Sequence, residues 1–144
     1  MIDHTGIQVS NIALSKVFYE AVLHCLGYKI CLDFGHAVGF GTPISCDTEN
    51  ADDRDPGGDF WISVGSPHTP RTHIAFRAAT HDEVNAFYQA ALQHSATCNG
   101  APGYRAQYHP NYYAAFVLDP DGYNIEAVCH KAPELTEKKR MPKN

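Results

Sequence analysis

Two histidines stand 69 residues apart, His4 in "DHTGIQV" and His73 in "THIAFRA", and the same offset carries "FYEAVL" at 18–23 onto "FYQAAL" at 87–92. A core-facing stripe of aromatic and aliphatic residues is common and could repeat by chance. A register that runs from helix into the upstream strand, and sets histidine on histidine, points instead to duplication of a compact module. Alternation places His4 and Gln8 on one face of their strand and Ile7 and Val9 on the other. In the second copy His73 and Arg77 oppose Ile74 and Phe76. Glu126, in "YNIEAV", joins the polar face if Ile125 and Ala127 point to the core. An ionisable set of this kind on one sheet face is the lining a binding cleft requires.

The elements that position these groups read as strand, helix and three strands in each half. "IDHTGIQV" alternates as a strand. Asn11 or Ser10 can cap the following helix, which runs to about Cys25 with Leu14, Phe18, Ala21, Val22 and Cys25 inward, and Gly27 ends it. "YKICLDF" and "HAVGFG" follow around a turn at Gly35. The acidic loop "DTENADDRDPGG" lacks the spacing of a calcium loop and reads as a solvated connection to the strand "DFWISV". "GSPHTP" is a stiff connector to the second half. There Thr80 and Glu83 form a capping box for a helix ending near His94, with Val84, Phe87, Tyr88 and Ala91 inward. "ATCNGAPGYRAQYHPN" suggests a short irregular strand and a long loop, and "YYAAFVLD" and "YNIEAVC" a hairpin closed by a type I turn at "DPDG", 119–122.

With 144 residues and 44% hydrophobic content the chain can build one core, and we expect a single domain over 1–130, made of modules 1–65 and 71–130. No apolar run approaches the ~18 residues that span a bilayer, and no signal-like segment opens the sequence, so a membrane partner is not expected. Five basic and two acidic residues leave the tail from Lys131 at +3 and the rest of the chain at −8, a poor surface for nucleic acid. The tail, 131–144, reads as a solvated, disordered end. Five cysteines, an odd number without a C-x-x-C pair, favour reduced and mostly buried thiols, hence a cytoplasmic location.

The opening "IDHTGIQVSNIALSKVFYEAVLHCLGY", the mid-chain "THIAF" and above all "YHPNYYAAFVLDPDGYNIEAV" resemble the vicinal oxygen chelate superfamily of glyoxalases, bleomycin-resistance proteins and dioxygenases, in its glyoxalase-like subgroup. The resemblance implies an α+β fold in which two βαβββ modules form a curved eight-stranded mixed sheet around a cup. It implies a divalent metal, zinc, nickel, manganese or iron, held by His4, His73 and Glu126. Two imidazoles and a carboxylate form a facial triad with open positions for substrate oxygens. Glyoxalase I members add a glutamate on the fourth strand. Laying "GYNIEAV" over "GDFWISV" sets Ile62 opposite Glu126, so that ligand is missing and lactoylglutathione lyase activity proper is not expected.

The implied function is a metal-dependent glyoxalase-like enzyme, of lyase/isomerase or thiol-transferase type, acting on a small substrate with vicinal oxygens. Glutathione or another thiol is a candidate cosubstrate. The alternatives are a metal-free small-molecule-binding protein like those of bleomycin resistance and a small extradiol-type dioxygenase. A homodimer is expected, with the modules pairing within one chain or swapping between two. Glu126 and His109 are the candidate catalytic groups. Arg105, Tyr108, Tyr113, Arg77 and Gln8 are the candidate substrate-binding groups, with Arg105 suited to a carboxylate or phosphate and His109 to relaying a proton.

Overall fold

A computed structural model describes residues 1–49, 53 and 55–133. The C-terminal tail beyond 133 and part of the acidic loop lie outside the described residues. The first module comprises β1 (Thr5–Val9), α1 (Ile12–His24), β2 (Lys29–Asp33), β3 (Ala37–Gly41) and β4 (Phe60–Val64). The second comprises β5 (His73–Arg77), α2 (His81–Gln93), β6 (Thr97–Tyr104), β7 (Tyr113–Leu118) and β8 (Asn124–Cys129). The sheets have the same order, β1-β4-β3-β2 and β5-β8-β7-β6. In each, the first strand runs parallel to the last and the remaining pairs are antiparallel. The eight mixed strands of the α+β fold are thus divided four to a module, with hydrogen-bond ladders inside each module.

Local chemistry sets the helix ends. Asn11 accepts the Leu14 N–H at 3.0 Å and caps α1, and Gly27, at φ +82°, turns the chain out of it. Thr80 accepts the Glu83 N–H at 3.1 Å to start α2, while the Glu83 carboxylate accepts from Ala79 N–H. The inward stripe of α1 is Ser15, Phe18, Tyr19, Val22 and Leu23, rotated from the expected one, and Leu14 is exposed. The rotation follows from Tyr19, whose ring packs among Phe18, Phe40 and Phe60. Phe60 also meets Phe76 of β5 edge to face, at 5.1 Å, so one apolar core runs through both modules.

The "DPDG" turn is more than a hairpin closure. Gly122 N–H closes it onto Asp119 C=O at 2.9 Å. The Asp119 side chain, 4% exposed, accepts from the Tyr19 hydroxyl at 2.5 Å and from the N–H groups of Asp121 and Tyr123. The Asp121 carboxylate accepts from the backbone and hydroxyl of Ser10, and the Tyr123 hydroxyl donates to Gln8 C=O at 2.7 Å. Arg71, at the end of the connector, donates to Asp121 C=O and lies over the Tyr123 ring. The turn therefore clamps the second module to β1 and α1 of the first.

Two expectations are corrected. Cys31 and Cys46 form a disulfide, with Cα atoms 4.9 Å apart, while Cys25, Cys98 and Cys129 are free. Cys31 is the extra residue of a β-bulge between the Ile30–Phe40 and Leu32–Gly39 pairs, and the turn after β3 brings Cys46 back beside it. The second correction is a one-residue shift in β4. Ile62 pairs with Ile7 and is fully buried in the core. Trp61 pairs with Gly6, as Glu126 pairs with Ala75, and is the true counterpart of Glu126. A Cβ on Gly39 would stand 2.8 Å from the indole, so the glycine lets Trp61 lie flat over β3. The other indole face runs parallel to Phe34, with centroids 6.1 Å apart.

Two outcomes are expected. Ile62→Glu places an unpaired carboxylate in the core and should cost more than about 3 kcal/mol in urea unfolding, without rescue by divalent metal, while Trp61→Glu costs less because its face is partly open. Tyr19→Phe should cost about 1–3 kcal/mol. Burial raises the Asp119 carboxyl above its ordinary value of 3.8, against the lowering bond from Tyr19. A raised folded value gives stability that is complete below 3.8 and lost as pH rises through the folded value. Removing Tyr19's hydroxyl raises that value further, so the gap between variant and parent should widen from pH 3 to pH 7. A gap that is flat or narrows contradicts the clamp.

Candidate metal centre

Alternation along β8 buries Ile125, Ala127 and Cys129 and turns Glu126 to the opposite face. The register then sets Ala75 and Phe116 beside it. Glu126 is only 2% exposed, yet its nearest cationic candidate is an imidazole: His73 Nε2 lies 3.0 Å from Oε2. His73 Nδ1 meets Asn124 C=O at 2.9 Å, and the ring stacks on Phe116, with centroids 6.2 Å apart. A carbonyl only accepts, so Nδ1 carries a hydrogen and the ring is fixed with Nε2 toward the carboxylate. Nε2 and Oε2 thus face each other across 3.0 Å.

The other carboxylate oxygen, Oε1, accepts from the Tyr112 hydroxyl at 2.5 Å. Partial burial and that bond push the Tyr112 phenol up to about 12. Arg105 lies on the same face, its guanidinium 5.4 Å from the Phe116 ring centre and bonded to Ala101 C=O at 2.7 Å. The structure thus brings together His73, Glu126 and Arg105 around Phe116.

His4 is not with them. It sits just before β1, half exposed, with Nδ1 2.6 Å from Asp3 Oδ1, a bond that raises its pKa. Among the described residues, one set of three potential ligand atoms lies within 4.8 Å of one another, and it is Asp3, His4 and Asp55, all exposed. His4 and His73 share a feature nonetheless. Each has Nδ1 engaged by an oxygen and Nε2 left to face outward or toward a partner.

The remaining candidates divide. Tyr113 is one residue out of phase with Ala114 and Phe116 and faces α2, where its hydroxyl donates to Asn85 at 2.8 Å and its ring stacks on His81. Tyr108 is exposed beside the Tyr112 ring. His109 packs on Tyr112, and its Nε2 is 2.7 Å from His130 Nδ1. Gln8 is exposed on the face of β1 opposite Ile7, its side chain against Gly65. Arg77 is exposed at the end of β5 and lines a cavity of about 210 Å³ with Asp3, Tyr28 and Asp59. Phe116 and His130 are not among the sequence candidates, and Tyr112 is one of several tyrosines that crowd its loop. Alternation through "YYAAFVL" could have set Phe116 opposite Glu126; nothing local marks Tyr112 over its neighbours.

The donor set fits a divalent cation. A deeply buried carboxylate and an imidazole nitrogen aimed at one point, with the far nitrogen anchored, form two of the three groups of a facial triad. Trp61, at the position equivalent to Glu126, offers no ligand from the first module.

Among curated proteins none matches the chain. A glyoxalase/bleomycin resistance protein from Albidiferax ferrireducens T118 is similar in fold, at 23% identity and TM-score 0.69, over 90% of this chain and 98% of that one. A glyoxalase/bleomycin resistance protein/dioxygenase family enzyme from Burkholderia phytofirmans PsJN is similar at 17% identity and TM-score 0.63, over 90% and 98%. The fosfomycin resistance protein FosX of Listeria monocytogenes, solved as a mutant with Mn(II) and 1S,2S-dihydroxypropylphosphonic acid, is similar at 16% identity and TM-score 0.61, over 89% and 88%. The family model matches residues 1–127, and the chain belongs to the Glyoxalase/Bleomycin resistance protein/Dioxygenase superfamily.

Proposed function

We propose that the chain is a metal-dependent glyoxalase-like enzyme acting on a small substrate with vicinal oxygens, and that its metal is held by His73 and Glu126 of one copy and His4 of a second. The observation that carries this reading is the Glu126 carboxylate, 2% exposed and facing His73 Nε2. Such a carboxylate is costly to bury with so little compensating charge. His4 is a half-exposed imidazole whose Nδ1 is engaged by Asp3, and its ligand atom clusters with Asp3 and Asp55 rather than with that pair. Symmetric association of two copies, each supplying what the other lacks, completes the triad in both.

A bound divalent cation would polarise adjacent substrate oxygens as a Lewis acid. The chain's own residues do the rest. Asn124 C=O and Asp3 fix the two imidazoles, Phe116 backs His73, and Arg105 offers a guanidinium to an anionic substrate group. The phosphonate and vicinal hydroxyls of the molecule held by the Listeria relative are of that chemistry. Trp61 in place of a fourth ligand favours chemistry other than that of lactoylglutathione lyase. The metal can be zinc, nickel, manganese or iron, and a thiol remains a candidate cosubstrate. The stack of exposed Phe34 on half-buried Trp61 favours a second reading, metal-free sequestration of a planar molecule.

Metal titration of chelator-stripped protein tests the choice. The parent should bind one divalent ion per chain and melt at higher temperature with it. His4→Ala, His73→Ala and Glu126→Gln should lose the binding, and His24→Ala, on the exposed side of α1, should keep it. Equal binding by all four variants, or none by the parent, overturns the proposal.

A further inference from the structure

Glu126 has two oxygens, and a carboxylate can meet a cation through one or both. Here they are treated differently. Oε2 faces His73 at 3.0 Å, and Oε1 receives the Tyr112 hydroxyl at 2.5 Å. The phenol is held from several sides. Tyr112 stands immediately before β7, its N–H bonded to His109 C=O at 3.1 Å and its C=O accepting the Arg105 N–H at 2.7 Å. The rings of Tyr108, His109 and His130 surround its own, at centroid distances of 4.9, 5.4 and 5.2 Å.

Two of those rings are themselves joined. Asn111 N–H donates to His109 Nδ1 at 3.1 Å, which puts the hydrogen of the neutral ring on Nε2, and Nε2 donates to His130 Nδ1 at 2.7 Å. The result is an aromatic collar, built from the end of the β6–β7 loop and the end of β8. Its central hydroxyl points at one carboxylate oxygen. Phe116, on the neighbouring strand, already packs beside Glu126, so covering the carboxylate does not by itself call for the collar.

We propose that Tyr112 is a positioning residue that makes Glu126 a one-oxygen ligand. By occupying Oε1 it leaves Oε2 alone toward His73, and so keeps a coordination position open for a substrate oxygen. Without the hydroxyl the carboxylate rotates and offers both oxygens. The proposal rests on the metal reading above, and it concerns geometry at the ion rather than the presence of the ion.

Cobalt(II) is the probe, because its visible absorption reports coordination number directly. The parent and Tyr112→Phe are stripped of metal and titrated with cobalt(II) against a competing chelator, and the spectrum of each complex is recorded. Tyr112→Phe keeps the ring inside the collar, and a melt of the metal-free variant checks that it folds. The expected result is a visible spectrum changed from the parent's toward that of a higher coordination number, as the carboxylate engages the ion through both oxygens. A merely structural role would leave the spectrum of the bound ion as in the parent. A parent that binds cobalt and a variant with the same spectrum overturns the positioning role while leaving the metal reading standing. A parent that binds no cobalt overturns both.

Discussion

The buried carboxylate of Asp119 is the constraint on which the arrangement depends. It lies in a turn of the second module and is satisfied by the Tyr19 hydroxyl of the first module's helix, at 2.5 Å, and by two backbone N–H groups of its own turn. A carboxylate at 4% exposure without those donors would be a large loss, so the contact is close to obligatory once the turn is buried. Ser10 on Asp121 and Gln8 C=O on Tyr123 extend it along the end of β1. The two modules are therefore locked at one relative placement. Within the second module the β5–β8 ladder presents Glu126 to His73, and His4 stands just before β1 of the first.

In the proposed site each module supplies one half. The second contributes an anchored imidazole, a buried carboxylate and a guanidinium around Phe116; the first contributes His4 beside Asp3 and an aromatic wall of Trp61 and Phe34. The duplication shows what changed between the copies. Topology and strand order are shared, and histidine precedes or opens the first strand in both. At the last strand one copy carries glutamate and the other tryptophan, with Gly39 accommodating the indole. The position of the proposed ligand in one copy is apolar in the other.

Much of this was legible in the sequence. The caps at Asn11 and Thr80 and the alternation around Glu126 rest on local pattern, and the structure follows them. What was not legible depends on offsets that local pattern does not carry. "DFWISV" offers two residues that could match Glu126, and only the pairing of Gly6 with Trp61 decides between them. The Cys31–Cys46 bond needs a bulge that no residue in "YKICLDF" announces. Tyr112 and Tyr113 are neighbours of identical chemistry, yet one reaches Glu126 and the other Asn85. The role of Asp119 as a clamp between modules depends on a partner 100 residues away.

The central claim is that the site is shared between copies, and complementation measures it directly. His4→Ala and Glu126→Gln are purified separately, stripped of metal, mixed under conditions that exchange subunits, and assayed for bound divalent ion. Neither variant alone should bind. In a mixed dimer the intact His4 of one chain meets the intact His73 and Glu126 of the other, so binding should return on mixing, one ion per mixed dimer. Mixed dimers that form and bind no ion, or separate variants that bind as the parent does, would contradict the account.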